Sequence, residues 1–193
     1  QQINILRSRG MVIGKGSQGS RAMRILEREN YYNVINGYKE LFLASPATPT
    51  ADEVYKAGTT FDEVYALYTF DRELRNIYLK NLLKLENTFK TVIAHEFSNK
   101  YGHDNYLKLE NFDTSNAHNI SNSIKLIGDI QQEIARQMSK HHQVVTHYMT
   151  EHGYIPLWVL VNVLTFGKIE NFYKNMKSTD KITVAKRFNL QPD

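Results

Sequence analysis

The 193-residue sequence predicts an all-α fold, and three observations carry that prediction. From Phe61 onward, apolar residues recur at Val64, Leu67, Tyr68, Leu74, Ile77, Tyr78, Leu82, Leu85, Phe89, Val92, Ile93 and Phe97. These steps of three and four mark one face of a helix. A second pattern of the same kind runs from about Asn119 to Glu151. Nowhere do short strands alternate with helices, as a parallel sheet requires.

Taken in order, "INILRSRG", a Gly/Ser loop and "SRAMRILEREN" read as helix, turn, helix. "YYNVINGYKELFL" fits a strand, a helix or an irregular segment equally well. Residues 45–59, "SPATPTADEVYKAGT", have the composition of a linker or exposed loop. Thr60 with Glu63 three residues on is a capping box. No Gly or Pro follows before Gly102, so an uninterrupted helix there would be about 60 Å long; a bend or a break into two is the alternative.

In the second pattern Ile120, Ile124, Ile127, Ile130, Ile134, Met138, Val145 and Met149 form the expected buried stripe. Gly128 weakens it by about 1 kcal/mol relative to Ala. Pro156 suits a first helical turn, and the nearly uniform apolarity of "PLWVLVNVL" puts that segment at the centre of the core. "FGKIENFYKNM" is a short helix. "STDKITVAKRF" is the last, capped by Ser178, Thr179 or Asp180. The expected organisation is a helical portion over 1–44, a linker over 45–59 and a helical bundle over 60–193.

Composition narrows the function classes. With 41% hydrophobic and 23% charged residues the chain is not globally disordered. It has no cysteine, so disulfides and thiolate zinc sites are excluded, and a cytoplasmic location is expected. The longest apolar stretch, from Ile155 to Phe166, is interrupted by Pro156 and Asn162 and is too short for a membrane span. Arg7 and Arg9 precede only three apolar residues in a row, which is not a signal-peptide pattern. Residues 1–28 carry net charge +5 and residues 168–193 net +3, around a middle of −4. Two basic ends suit a polyanion such as RNA if they form one surface.

Gly14-x-Gly16-x-x-Gly19 has the spacing of a phosphate-binding turn. It lacks the flanking strand, the βα repeats and the distant acid that dinucleotide binding needs, and the lysine and Asp-Phe-Gly that a kinase needs. It reads as a connection bearing Lys15 and Arg21. His141, His142, His147 and His152 cluster without the i, i+4 spacing of helical metal ligands, so neither a metal nor a cofactor is expected. Arg75 and Glu86 lie three turns apart on one face, beside Leu74, Leu82 and Leu85. With Arg72 they mark either a polar pocket between helices or a structural ion pair.

"LRSRGMVI", "NYYNVINGYK", "GTTFDEVYALYTFDRELRNIYLKNLLKLENTFKTVIAHEFSNKYG", "PLWVLVNVLTFGKIENFY" and "AKRFNL" resemble, in order and spacing, the Abi-like family of bacterial abortive-infection phage-resistance proteins, the AbiD/AbiF type. The resemblance covers almost the whole chain. It implies a HEPN-like helical bundle, often a homodimer, that acts as a metal-independent RNase through an Arg-x4-6-His motif. Arg would hold the scissile phosphate and His would move the proton. It also implies growth arrest and control by an antitoxin or a phage-derived trigger. In this reading Arg72, Arg75 and Glu86 line the polar pocket, while Lys181, Lys186 and Arg187, with the basic N-terminus, contact RNA phosphates. The expected motif follows the Ala-Lys-Arg-Phe region in a further helix, which Pro192 and Asp193 would begin, so the chain reads as a fragment. Arg136-x4-His141 imitates the bare spacing at a different place and is treated as a decoy. The alternative is a non-catalytic RNA- or protein-binding defence module.

Overall fold

Thr60 and Glu63 cap the longest helix reciprocally. In the computed structural model, which describes residues 1–190, the Glu63 backbone N–H donates to Thr60 Oγ1 at 3.2 Å. The Thr60 N–H donates to Glu63 Oε2 at 2.8 Å. Two backbone donors that the first turn leaves free are thereby satisfied. From this start α3 runs unbroken over Phe61–Tyr101, 41 residues. It ends at Gly102, whose φ of 90° strains any residue with a Cβ.

The other helices are α1 (Gln2–Ser8), α2 (Ser17–Glu29), α4 (Ala117–Ser139), α5 (Gln143–His152), α6 (Leu157–Leu160), α7 (Phe166–Asn175) and α8 (Ser178–Arg187). β1 (Leu43–Ser45) pairs antiparallel with β2 (Val54–Tyr55). The described residues are thus all-α apart from this small ribbon. None of their helices is long and apolar enough to cross a membrane. The chain divides into two compact units, Gln1–Asn81 and Leu82–Asp193.

The first unit buries Leu6, Met11, Leu26, Val34, Ile35, Phe61 and Val64. The ambiguous segment after α2 combines irregular forms: a π-helical turn over Tyr32–Asn36, a 3-10 turn over Lys39–Phe42, then β1. Residues 45–59 are packed as well as looped. They supply β2 and the buried Glu53, which accepts from Arg9 at 2.8 Å and from Lys39 at 2.5 Å. The glycine loop is held by Arg7, which donates to Ile13 O at 3.0 Å and Gly14 O at 2.8 Å. Val12 forms only an isolated bridge to Thr60, so no sheet feeds the loop.

The second unit closes around an aromatic cluster. Phe172 lies 5.0 Å from Phe97 and 5.2 Å from Phe112, ring centre to ring centre, and all three are buried. Leu126, Ile130, Leu157, Leu160 and Ile169 complete this core.

The structure corrects several expectations. The pattern from 119 to 151 is two helices, α4 and α5. His141 breaks it with φ 54°, and His142 is the N-cap of α5. Ile124 is exposed, and Leu126 is buried in its place. "PLWVLVNVL" yields one helical turn, α6, with Pro156 as its N-cap. The N-cap of α8 is Lys177, because Asp180 turns inward instead of capping. On α3 the first unit's core takes Phe61, Val64 and Tyr68, and the second unit's takes Ile93, Ala94 and Phe97. Leu74, Ile77, Tyr78, Leu82 and Leu85, expected in the buried stripe, are exposed. Pro192 and Asp193, read as the start of a further helix, lie outside the described residues.

Glu133 ties α4 to α7. Its buried carboxylate accepts from Arg136 and Gln137 on its own helix and from Lys168 on α7 at 2.6 Å. Arg136 does most to hold the carboxyl down to about 2; Lys168 and Gln137 add to this, while burial opposes them. A depressed folded-state pKa gives stability that is present above the unfolded carboxyl's value of ~4.3 and is lost as pH falls from there toward 2. The wild type is therefore expected to lose up to roughly 3 kcal/mol through this group on acidification. Glu133→Gln should be less stable near neutrality and show a shallower acid decline in urea-melt midpoints; parallel declines would contradict the assignment. Phe172→Ala should cost about 3–5 kcal/mol in the same melts, and a loss below about 1 kcal/mol would mean that the aromatic cluster is not close-packed.

Candidate functional site

The first unit carries a polar cleft built from the two stretches "NYYNVINGYK" and "FDRELR". Asn30 ends α2 with φ 69°, and its Oδ1 accepts the Tyr32 N–H at 2.9 Å. The turn this creates buries Val34 and Ile35 and leaves Tyr32 72% exposed. Gly37 allows the chain to turn back tightly: a Cβ there would stand 2.9 Å from Asn33 O. Tyr38 is thereby set against α3, where its hydroxyl donates to Asp71 and accepts from Arg75 at 2.9 Å. Arg75 also pairs with Asp71 at 2.6 Å. Burial and the bond to Asp71 raise the Tyr38 pKa above its ordinary value.

One turn away, Glu29 Oε2 accepts from Tyr68 and from Arg72, each at 3.1 Å. The Arg72 guanidinium stands 5.4 Å from the centre of the Tyr68 ring. Burial tends to raise the Glu29 pKa, but the bond from Tyr68, with Arg28 and Arg72, holds it below the usual value. The cleft between these groups encloses about 690 Å³. Each arginine already has a carboxylate, so the site is charge-balanced, and Tyr32 and Arg75 are among its exposed side chains.

Of the three residues expected to share a pocket, Arg72 and Arg75 line this cleft. Glu86 does not: it belongs to the second unit and pairs with Lys90 at 2.7 Å. Three turns of helix put Glu86 about 16 Å along the axis from Arg75, beyond side-chain reach.

In the second unit, charged side chains gather where α8 meets the end of α3. Asp180 is buried, bonded by Lys100 and by the Tyr101 hydroxyl at 2.7 Å. The bond to Asp180, with Tyr101 adding to it, raises the Lys100 pKa against the opposing effect of burial. Glu96, also of α3, accepts from Arg187 Nε at 2.7 Å. Lys100 and Arg187 each place one donor on a carboxylate and remain about half exposed.

The three residues expected to contact RNA divide within α8. Lys186 and Arg187 are exposed on its last turn, while Lys181 is half-buried nearer its start. Five residues of helix turn Lys181 about 140° from Lys186, so Lys186 and Arg187 are the accessible pair. The decoy residues are also separated: Arg136 is bound to Glu133, and His141 lies beyond the end of α4. His147 and His152 stack edge to face, and no group of three or more His, Asp or Glu among the described residues is arranged to hold a metal ion.

Two features were not legible in the sequence. The partnership of Tyr38 with Asp71 and Arg75 links residues 33 or more positions apart, with no local signal. The inward turn of Asp180 was masked by its resemblance to a capping residue.

A protein-family model described as Abi-like protein matches residues 24–193. No curated protein and no solved structure matches the chain. The matched region includes both halves of the polar cleft, from Glu29 to Arg75, and every helix from α3 to α8. On a match of that extent, the chain belongs to the Abi-like protein family.

Proposed function

We propose that this chain is an abortive-infection effector: a HEPN-type, metal-independent RNase toxin that binds and cleaves RNA to arrest growth during phage attack. Membership of the Abi-like family carries the reading, since that family points to abortive-infection phage defence. The exposed Lys186 and Arg187, beside Lys100, supply the cationic groups that RNA phosphates need. In this reading the protein works as a homodimer, restrained by an antitoxin or released by a phage-derived trigger. Its exposed Leu82, Leu83 and Leu85 are apolar surface that a second copy could cover.

The alternative reading is a non-catalytic RNA- or protein-binding module. Arg136, the arginine with the bare Arg-x4-His spacing, places two donors on the buried Glu133 and lies before the Pro-Leu-Trp segment, away from the expected motif, so it carries neither reading.

One measurement separates these readings, and a second tests the RNA-binding surface. Purified protein incubated with total RNA and a chelator should cut it; intact RNA would leave the binding module. The triple variant Lys181→Ala, Lys186→Ala, Arg187→Ala should bind labelled single-stranded RNA more weakly. Its plot of log affinity against log salt should be shallower by about 0.7 per lost phosphate contact, roughly 1.4 if the two exposed residues are the ones in contact. Unchanged affinity and slope would remove α8 from the RNA-binding surface.

A further inference from the structure

Trp158 is the chain's single tryptophan and is 52% exposed within its most apolar stretch. Its neighbours Leu157, Leu160 and Val161 are buried, so α6 is anchored without the indole. The ring is held from one side: His103 stands 5.2 Å from it, tilted by 48°, and shares a hydrogen bond with the Tyr154 hydroxyl at 3.1 Å. Elsewhere the indole walls a cavity of about 370 Å³ in the second unit, with Ala94 and Val161 as its buried apolar lining. That volume is at the small end of ligand pockets, ~300–1,000 Å³.

The polar atoms of this cavity are specific. Asn162 Nδ2 donates to Trp158 O at 2.9 Å and to Val159 O at 3.3 Å. A carbonyl accepts only from the nitrogen end of the amide, so this pairing fixes Oδ1 as the free end. Among the described residues nothing donates to Oδ1. Ser98 also lines the cavity, and its Oγ is buried without a hydrogen-bond partner among the described residues. Asn99 borders both this cavity and a neighbouring depression, where Lys100 is balanced by Asp180 and Glu96. A flat aromatic wall, an apolar lining and a fixed acceptor match a nucleobase.

We propose that this cavity binds an unpaired nucleobase of single-stranded RNA, stacked on Trp158, with an exocyclic amino group donating to Asn162 Oδ1. The proposal rests on the RNA reading above and adds a base preference to it. Stacking alone tolerates every base; the acceptor discriminates, because adenine and cytosine present an amino group where uracil presents a carbonyl.

The single tryptophan makes the test local. Titration of the full chain with a short oligoadenylate should quench its fluorescence saturably, while ribose 5-phosphate should not. Oligouridylate should bind about fivefold more weakly, the effect of one net hydrogen bond. Asn162→Ala should remove that preference while keeping the wild-type far-UV spectrum and melting temperature. Trp158→Phe, which keeps a stacking face, should retain the preference when binding is read by anisotropy of labelled RNA. Equal quenching by ribose 5-phosphate, equal affinity for adenylate and uridylate oligomers, or AMP binding as tightly as the oligomer would each overturn the proposal. Anisotropy that reports RNA binding with unchanged tryptophan fluorescence would remove the base site and leave the RNA reading standing. Absence of binding by both readouts would remove the two together.

Discussion

Glu133 enters the second unit with 5% of its side chain accessible, and its charge has to be met inside the fold. A buried carboxylate without partners costs several kcal/mol, so Arg136, Gln137 and Lys168 converge on it. Asp180 imposes the same condition on Lys100 and Tyr101, and Glu53 imposes it on Arg9 and Lys39 in the first unit. These pairs join elements distant in sequence, such as α3 to α8 and α1 to the turn before β1. Lys100 reaches in with its ammonium while about half of its side chain stays exposed, and Arg136 gives two donors to Glu133 with a similar exposure. The demand for internal neutrality therefore also distributes positive charge on the surface, and the proposed function draws on that surface.

The polar cleft of the first unit follows similar logic with less burial. Tyr38 and Tyr68 present hydroxyls to Asp71 and Glu29, and Arg72 and Arg75 complete each pair. Balanced charge of this kind braces the turn after α2 against α3. The cleft is thus a brace with an accessible rim. In the proposed function the cationic end of α8 is the region that meets RNA.

The sequence was most legible where local chemistry decides local structure. Thr60 and Glu63 announced the start of α3, and Gly102 its end, because caps act over a few residues. The two short N-terminal helices were likewise readable from their spacing. The break at His141 was not: neither Gly nor Pro marks it, and a left-handed histidine is a tertiary outcome. Apolar periodicity identified α3 as a helix but could not say which turns would be covered. Leu74, Leu82 and Leu85 carry the same pattern as Ile93 and Phe97, yet only the latter find a core. In "PLWVLVNVL" uniform apolarity hid the one apolar residue that is exposed, Trp158. At the candidate site, Arg72 and Arg75 were found by their position beside an apolar stripe. Their partners Glu29 and Tyr38 came from a segment whose form the sequence left open.

Membership of the Abi-like family and a cationic, partly aromatic surface on the second unit together support the proposed function. Ultraviolet crosslinking of the intact protein to single-stranded RNA, with the attached peptides identified by mass spectrometry, addresses that surface directly. The expected crosslinks fall on residues 91–100, on 158–162 and on the end of α8. Crosslinks confined to the first unit, or none at all under conditions where RNA is bound, would contradict it.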